Sequence, residues 1–352
     1  MPNDRANDAD ESIDSRRIEE NDAPRETRPS DRPLSRRDAI RLGVGAGVFL
    51  TLDKLPMLHV RSAAAEAPGL TAAPSLIERA IPSSGEKLPV VGIGTARSYE
   101  APTPEELPVL RDVLRRFPEL GGKLLDTAPS YGRAEIVVGD ALAELENRDK
   151  YFLATKVSVR GGGDRGAAAA QMEDSLKRLK TDHIDLMQIW NVSNPGLLVP
   201  LLDEWKAAKR IRYTGITSSF KGQYPQLEDA MKSHKLDFVQ VDLAIDNRSA
   251  QERIIPLAAD RGMAVLINLP FGRTRVFQRV LNKPMPDWAK EIDATSWAQV
   301  FLKYIISNPA VTAVIPGTAT IPFLVDNNAA ARGRLPDAAL RKRIESYFDD
   351  MA

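Results

Sequence analysis

The sequence predicts an α/β protein in which parallel strands and helices alternate around a closed (β/α)8 barrel. From Leu76 onward, short apolar runs alternate with amphipathic helical stretches. Such an alternation requires parallel strands joined by helical crossovers. About eight of these units occupy roughly 280 residues, which fits one barrel better than an open sheet. Nearly every strand is apolar on both faces, as expected where helices cover the outside.

The composition excludes several classes of function. Lys plus Arg and Asp plus Glu number 48 each among the 352 residues, so nucleic acid is not an expected partner. The chain has no cysteine, which rules out disulfides, cysteine-based zinc sites and a thiol nucleophile. With only three histidines, a His-rich metal site is not expected either.

The first 65 residues are predicted to lie outside the barrel. Residues 1–34 are rich in Asp, Glu, Arg, Asn and Pro, a composition that cannot offset the entropy of folding. Arg36 and Arg37 then precede the apolar run Leu42–Leu50, which is too short for a membrane span, and Ala63–Ala65 offers small residues for cleavage. This order resembles a twin-arginine export signal. The alternative is a disordered basic arm beside a fortuitous apolar stretch.

We therefore expect three segments. Residues 1–65 form a disordered n-region and signal peptide, residues 66–75 a linker, and residues 76–352 the barrel. The signal implies the twin-arginine export machinery as a partner, a periplasmic or otherwise exported location, and no stable membrane anchor. Because this route carries folded proteins, a cofactor could be loaded before export.

An N-terminal hairpin, turning at Ser83-Ser84-Gly85-Glu86, is predicted before the first barrel strand. The barrel strands are predicted at Val90–Gly94, Lys123–Asp126, Phe152–Lys156, Ile184–Ile189, Arg212–Ile216, Phe238–Val241, Ala264–Asn268 and Ala313–Ile315. The helices are predicted at Glu105–Phe117, Ala134–Glu146, Ala167–Leu179, Leu197–Ala208, Tyr224–Lys232, Ala250–Asp260 and Ser296–Ser307, with a C-terminal extra helix at Ala338–Phe348. In such a TIM barrel, the chemistry lies at the C-terminal ends of the strands.

Three chemically active side chains follow the second and third predicted barrel strands. Asp126 ends one strand, Tyr131 lies in the loop after it, and Lys156 ends the next strand. A phenol is a poor proton donor at neutral pH, because its pKa is about 10, and a nearby cation lowers that pKa. Asp126 would pair with Lys156 and offset the cost of burying its charge. The alternative is that Asp126 caps a loop and Lys156 is a structural partner.

The ordered series of motifs resembles the aldo-keto reductase family. The resemblance covers the chain from Pro89 to about Phe348. Its pieces are Val91-Gly92-Ile93-Gly94-Thr95, Asp126-Thr127-Ala128 with Tyr131-Gly132, Glu135 with Gly139, Thr155-Lys156, Ser175–Leu179 with Ile184–Leu186, Ile211–Ile216, Leu266–Gly272, and Val314–Thr318 followed by Asp326-Asn327. The resemblance implies NADP or NAD as cofactor and a small-molecule carbonyl compound as substrate. It also implies that Tyr131 is the general acid, that Lys156 lowers its pKa and that Asp126 orients Lys156.

The resemblance also implies the cofactor contacts. Thr217 and Ser218 stand where the family usually has Ser-Asn at the nicotinamide carboxamide, Gln240 matches a third contact there, and Asn268 replaces a stacking aromatic ring. The remaining implied cofactor residues are Gly94 and Thr95 on the first barrel strand, Leu269, Phe271 and Gly272 near the pyrophosphate, and Gly317, Thr318, Asp326 and Asn327 at the adenosine end.

The chain departs from the family pattern at the catalytic histidine. Trp190 occupies that position after Asp185-Leu186, and a slip by one residue would present Asn191 instead, although such a slip reverses the side chain's direction on a strand. We prefer Trp190 as the residue in the substrate pocket. An indole cannot exchange a proton and offers one fixed N–H donor. The tryptophan either packs within an active reductase or marks a weakened or repurposed enzyme.

A second departure concerns the 2′-phosphate of NADP. Gly317 and Phe323 stand where relatives place Lys or Arg, and no base follows before Arg332. NAD, or no strong preference, is therefore consistent with the sequence. Three functions remain open: a carbonyl-reducing oxidoreductase, a nicotinamide-binding pseudoenzyme or regulatory protein, and a barrel that binds another ligand.

Overall fold

The computed structural model describes residues 75–159 and 163–351. The predicted n-region and export signal, and nearly all of the linker, lie outside these residues. Eight parallel strands run in chain order around one sheet: β3 (Ile93–Gly94), β4 (Leu124–Asp126), β5 (Phe152–Val157), β6 (Ile184–Trp190), β7 (Ile211–Thr217), β8 (Phe238–Asp242), β9 (Ala264–Asn268) and β10 (Ala313–Val314).

The two ends of this sheet meet and close it into a barrel. The amide of Gly92 donates to the carbonyl of Val314 at 2.8 Å, and that of Gly94 donates to Pro316 at 3.0 Å. Gly94 has to be small here, because a Cβ atom would stand 2.9 Å from the carbonyl oxygen of Ile315. The eight-stranded parallel architecture expected from the sequence is thereby confirmed.

Helices surround the strands, mostly where the amphipathic pattern predicts them. They are α1 (Glu106–Glu119), α2 (Ala134–Glu144), α3 (Arg165–Leu179), α4 (Pro195–Ala207), α5 (Tyr224–Ser233), α6 (Ile254–Asp260), α7 (Arg275–Arg279), α8 (Trp297–Ile306), α9 (Ile321–Ala329) and α10 (Ala338–Asp349). None of those helices is long and apolar enough to cross a membrane.

Helices α7 and α9 have no counterpart in the prediction. Helix α7 is a single short turn, and α9 begins with Ile321-Pro322, where proline occupies the first turn. Proline is acceptable there because the first N–H groups of a helix have no intrahelical partner. Helix α6 begins four residues later than predicted, because residues 249–251 form a separate 3-10 turn. Helix α7 and the start of α6 concern local turns, which apolar periodicity does not resolve, whereas α9 is a nine-residue helix that the sequence analysis missed.

An antiparallel hairpin, β1 (Glu78–Ala80) and β2 (Lys87–Pro89), closes the N-terminal end of the barrel. Ile81, directly after β1, and Leu88, in the middle of β2, pack in one buried cluster with side chains from inside the barrel. The hydroxyl of Tyr213, near the start of β7, also donates to Ser84 Oγ at 2.7 Å. Because the hairpin covers this end, ligands have access to the barrel interior from the C-terminal end of the strands.

Along each strand, the inward-facing side chains change from apolar to polar towards that open end. Leu124, Ala154, Leu186 and Phe238 belong to the apolar cluster inside the barrel. Because side chains on a strand alternate, the residues two positions later also face inward. Those residues are Asp126, Lys156, Gln188 and Gln240, and all four are buried. The fold therefore stacks a polar layer on an apolar one.

Candidate active site

An ion pair between Asp126 and Lys156 lies at the centre of the polar layer. Lys156 Nζ donates to Asp126 Oδ2 and to the backbone oxygen of Thr127, each at 2.7 Å. The side chains of Lys156 and Asp126 are only 1% and 4% exposed. Buried charges of this kind persist only when they are paired and hydrogen-bonded. The structure thus brings together the two charged residues that the strand ends indicated.

Two carboxamides hold the other oxygen of Asp126. Gln188 Nε2 donates to Asp126 Oδ1 at 3.0 Å, and Gln240 Nε2 donates to the same oxygen at 2.9 Å. The Gln240 carbonyl in turn accepts a hydrogen bond from Thr217 Oγ1 at 2.9 Å. Both carboxylate oxygens are therefore engaged, and the position of Asp126 is fixed from three strands.

Tyr131 reaches the ion pair from the loop after β4. The turn depends on Gly132, whose φ of +51° favours glycine and whose Cβ, if present, would lie 2.6 Å from the carbonyl oxygen of Glu100. Tyr131 is half-buried, and Lys156 Nζ lies 5.0 Å from the centroid of its ring. The phenol, the amine and the carboxylate therefore meet at the open end of the barrel.

The pKa of Tyr131 is raised above its ordinary value, contrary to the sequence expectation. Burial of the phenol raises the pKa, whereas the charge of Lys156 and its hydrogen bond lower it without reversing the shift. The expected influence of Lys156 is therefore present, but burial, which the sequence does not reveal, outweighs it. The phenol remains protonated at neutral pH, with a cation beside it.

Lys156 remains an ammonium group despite its burial. Burial lowers the pKa of the amine, but the Asp126 carboxylate and Tyr131 raise it, and the net shift is upward. A charged amine beside a protonated phenol stabilises the phenolate that proton donation would leave behind. Chemically, the arrangement can deliver a proton to a ligand at the open end of the barrel.

Trp190 is the last residue of β6 and lies next to Tyr131. Its ring centroid is 6.2 Å from that of Tyr131, with an angle of 82° between the ring planes, an edge-to-face contact. Asn191 follows in a left-handed conformation with φ of +50°, and its side chain is exposed. The structure therefore places Trp190, and not Asn191, against the phenol.

The ends of β7 and β9 offer hydrogen-bonding groups for a nicotinamide carboxamide. Ser218 is buried and donates to Gln223 Oε1 at 2.9 Å. Asn268 Nδ2 donates to the backbone oxygen of Ser218 at 3.4 Å, while Asn268 Oδ1 is buried without a partner. A buried acceptor without a donor is costly, and an amide N–H of a ligand would satisfy it. This part of the site fits the implied cofactor.

Beside these residues lies a cleft of about 260 Å³, whose lining includes three basic residues and one carboxylate, Asp242. Leu269 and Gly272 border it, and both have positive φ, +49° and +52°. Lys221 and Arg273 also line it, and neither forms a salt bridge within the described part of the chain. Cations without an ion-pair partner suit a diphosphate. Phe271, in contrast, does not line the cleft. Its ring packs against that of Phe277, with 4.9 Å between the two ring centroids.

The residues implied at the adenosine end differ in their availability. Gly317 is open, with no atom within 3.8 Å of a hypothetical Cβ. Thr318 accepts a hydrogen bond from Asn327 Nδ2 at 3.1 Å, which ties the end of the last strand to α9. Asp326 is already satisfied, because Ser296 Oγ and Gln299 Nε2 donate to its two oxygens at 2.8 and 2.7 Å. Its carboxylate binds the start of α8.

Thr95 also has an internal role. Its hydroxyl donates to the backbone oxygen of Asp126 at 3.1 Å, and the side chain is fully buried. Thr95 and Gly94 therefore hold in place the end of β4, which carries Asp126. In the described parts of the chain, no group of three His, Asp or Glu side chains could hold a metal ion.

Sequence reasoning gave no role to two residues of the site. Glu135 is buried and accepts from Thr155 Oγ1 at 2.6 Å and from Arg178 Nε at 2.7 Å, so it pins the start of α2 to β5 and α3. Gln188 is the second, as a donor to Asp126. A signal for it was available: an amide among the apolar residues 186–190 of the strand, two positions before Trp190 and hence on the same face.

Comparison with known proteins shows the family to which the chain is similar. The sequence profile described as the aldo/keto reductase family matches residues 90–346. Methylglyoxal reductase YeaE of Escherichia coli is 31% identical over 276 residues, which cover 77% of this chain and 95% of that protein. The NADH-specific methylglyoxal reductase of the same species is 27% identical over 184 residues, 45% of this chain and 55% of that protein.

Solved structures share the fold. An aldo-keto reductase of Klebsiella pneumoniae in complex with NADPH has a TM-score of 0.64 and 24% identity, covering 78% of this chain and 96% of that one. The holo form of an aldo-keto reductase from Bacillus halodurans has a TM-score of 0.62 and 24% identity, covering 77% and 96% of the two chains. At this level of identity, the likeness concerns the architecture.

Replacing Lys156 by Met should destabilise the protein strongly. The substitution leaves the Asp126 carboxylate buried with only its two amide donors, and breaking a buried ion pair in this way costs about 3–5 kcal/mol. Urea unfolding of the full-length variant, followed by tryptophan fluorescence, measures the loss. The double variant Lys156→Met/Asp126→Asn is the control and should recover part of it. A loss below about 1 kcal/mol for Lys156→Met alone would show that the pair does not support the fold.

Proposed function

The chain belongs to the aldo/keto reductase family, and from this premise we propose that it is an NAD(P)-dependent oxidoreductase that reduces the carbonyl group of an aldehyde or ketone. The observation that carries the proposal is the meeting of Tyr131 with the buried pair of Lys156 and Asp126 at the open end of the barrel. A proton donor beside a fixed cation is what the reduction of a carbonyl to an alcohol requires.

The proposed chemistry divides between the cofactor and the side chains. When bound, the nicotinamide cofactor supplies the hydride that the carbonyl carbon receives. Tyr131 donates its hydroxyl proton to the carbonyl oxygen, so that an alcohol forms and a phenolate remains. Lys156 stabilises this phenolate by its charge, and Asp126 keeps Lys156 charged and in place.

Three groups of residues would hold the cofactor. Thr217, Ser218, Gln240 and Asn268 surround the position for the carboxamide, and the buried Asn268 Oδ1 is the acceptor that it would satisfy. Lys221 and Arg273 line the cleft for the diphosphate. Gly317, Thr318 and Asn327 are the candidates for the adenosine.

Either NADP or NAD fits this adenosine end, without a strong preference. Gly317 provides no side chain, and Phe323 is 39% exposed where a base would bind a 2′-phosphate. Arg332 is turned elsewhere, since its guanidinium donates to the backbone oxygen of Leu120 at 3.1 Å. Among the similar proteins, one is named as NADH-specific and another was solved with NADPH. Binding of both cofactors has to be measured.

The substrate is a small carbonyl compound under this proposal. Two similar proteins are named methylglyoxal reductases, which makes methylglyoxal the first compound to assay. Trp190 narrows the pocket beside Tyr131, because an indole is larger than the imidazole of the family pattern. A compact aldehyde suits such a pocket better than a bulky ketone.

The second candidate is a catalytically weakened protein that binds the nicotinamide cofactor, or another ligand, for a regulatory purpose. Trp190 favours it, because an indole cannot exchange a proton and removes the group that orients the carbonyl in the family pattern. Ser218 adds to this, because it lacks the amide of the usual asparagine and its hydroxyl is already engaged with Gln223. Turnover decides between the two candidates.

Tyr131→Phe should abolish turnover and leave cofactor binding intact. The wild-type chain is titrated with NADH and NADPH by fluorescence and then assayed against aldehydes and ketones, beginning with methylglyoxal. Removing the general acid should lower kcat/KM by about 10²–10⁴-fold, with the cofactor Kd changed by less than about threefold. Because the pKa of Tyr131 is raised, the wild-type rate should not fall from phenol ionisation below about pH 10.

Two results would contradict the oxidoreductase. Cofactor binding without turnover of any carbonyl compound supports the weakened protein, and no cofactor binding leaves a barrel for another ligand. Equal rates for the wild type and Tyr131→Phe would remove the phenol from the mechanism.

Trp190→His should raise the rate of carbonyl reduction if the indole limits it. An imidazole at the end of β6 is smaller than the indole and can exchange a proton, and a well-placed donor at the carbonyl oxygen contributes about 10²–10³-fold. The control is Trp190→Phe, which relieves crowding without adding a donor. Stopped-flow measurement of cofactor oxidation gives kcat for each variant. An unchanged or lower rate for Trp190→His means that the tryptophan packs within an already competent site.

We also propose that the chain is exported through the twin-arginine machinery to the periplasm or beyond, on the sequence of residues 35–65 alone. The double variant Arg36→Lys/Arg37→Lys should keep the protein inside the cell, because that route reads the arginine pair. Fractionation of expressing bacteria, with a cytoplasmic marker enzyme as control, measures the distribution. An equal distribution of both forms between the fractions would contradict export by this route.

A further inference from the structure

Gln188 is a buried polar residue to which the proposed chemistry assigns no role. It lies on β6 between Ile189 and Met187, and its side chain is completely inaccessible to solvent. Burying a carboxamide costs free energy unless its hydrogen bonds are made. Gln188 makes one bond through its amide group, to Asp126 Oδ1 at 3.0 Å, and its carbonyl oxygen has no partner within the residues that the structure covers.

The hydrogen bonds of Gln188 differ from those of Gln240. Gln240 uses both ends of its amide, because it donates to Asp126 and accepts from Thr217. The resemblance to the family also assigns Gln240 to the carboxamide of the cofactor. Gln188 makes its single hydrogen bond to the carboxylate. A glutamine that served the packing of the strands alone would be replaceable by an apolar residue at lower cost.

We propose that Gln188 is a positioning residue for the reduction, which acts on Tyr131 through Asp126 and Lys156. The inference rests on the proposed function. With Gln188 present, Asp126 Oδ1 has two donors, and Oδ2 remains directed at the ammonium group of Lys156. Without Gln188, Gln240 is the remaining side-chain donor to Oδ1 among the residues that the structure describes.

The amide also affects how strongly Lys156 acts on the phenol. The positive ends of the two amide dipoles face Asp126 and offset part of its negative charge. More of the positive charge of Lys156 is thereby left to act on Tyr131, whose ring lies 5.0 Å from the ammonium nitrogen. Loss of the Gln188 amide tightens the pairing of Asp126 with Lys156, and it thereby weakens the effect of the Lys156 charge on Tyr131.

The first test is Gln188→Leu, which keeps the approximate shape and removes the amide. We expect kcat for carbonyl reduction to fall about tenfold, the effect of one hydrogen bond to a charged group, while the cofactor Kd changes by less than about twofold. Met187→Ala is the matched control, because Met187 is equally buried on the opposite face of the same strand. It should lower stability without lowering kcat. An unchanged kcat in Gln188→Leu, or an equal loss in Met187→Ala, overturns the proposal.

The second test is Gln188→Glu, whose acid can donate to Asp126 only while it is protonated. Two carboxylates that share one site do not ionise together, so the new acid should hold its proton well above the ordinary range. We expect kcat near the wild-type value at about pH 5 and a fall of about tenfold by about pH 8, with circular dichroism unchanged over this range. The wild type and Gln188→Leu should not show this fall of kcat with rising pH. A pH-independent Gln188→Glu rate contradicts the positioning role.

Failure of the proposed function is distinguishable from failure of this inference. If the wild type turns over no carbonyl compound, the proposed function fails, and the inference is decided by the ionisation of Tyr131. Ultraviolet difference titration of each protein against its Tyr131→Phe counterpart reports that ionisation. A shift to higher pH in Gln188→Leu, by about half a unit or more, supports the inference, and no shift overturns it.

Discussion

The buried contact between Lys156 and Asp126 is the interaction on which the site depends. Each charge alone would be too costly to bury inside the barrel, and the pair persists because every polar atom of it is engaged. The ion pair fixes β4 to β5 and leaves a cation beside Tyr131. The same contact therefore maintains the structure at the open end of the barrel and prepares the phenol for chemistry.

The position of this contact follows from the geometry of parallel strands. Inward-facing residues alternate along each strand, so an apolar layer at the closed end is followed by a polar layer at the open end. The hairpin fills the closed end, so that within the described residues the other end is the open one. Charged residues are tolerated inside the barrel because they lie in one layer, where strands from around the sheet supply their partners.

The departures from the family pattern concern the groups that surround this centre. Trp190 stands against the phenol where the pattern has histidine, and the hydroxyl of Ser218 is engaged with Gln223. Asp126, Tyr131 and Lys156 retain the pattern. Under the proposed function, proton donation depends on Asp126, Tyr131 and Lys156, and orientation of the substrate depends on the residues around them. These departures therefore concern the substrate or the rate, and the proposed type of reaction is retained.

The sequence by itself determined the alternation of strands and helices, the end of the barrel that carries the site, and the placement of Asp126, Tyr131 and Lys156 there. Periodicity and strand ends contain this information, because side-chain direction repeats along each element. The tertiary structure alone decided that burial raises the pKa of Tyr131, that Asp326 binds the start of α8, and that Gln188 reaches Asp126. Those outcomes depend on neighbours distant in the chain, and a local pattern does not specify them.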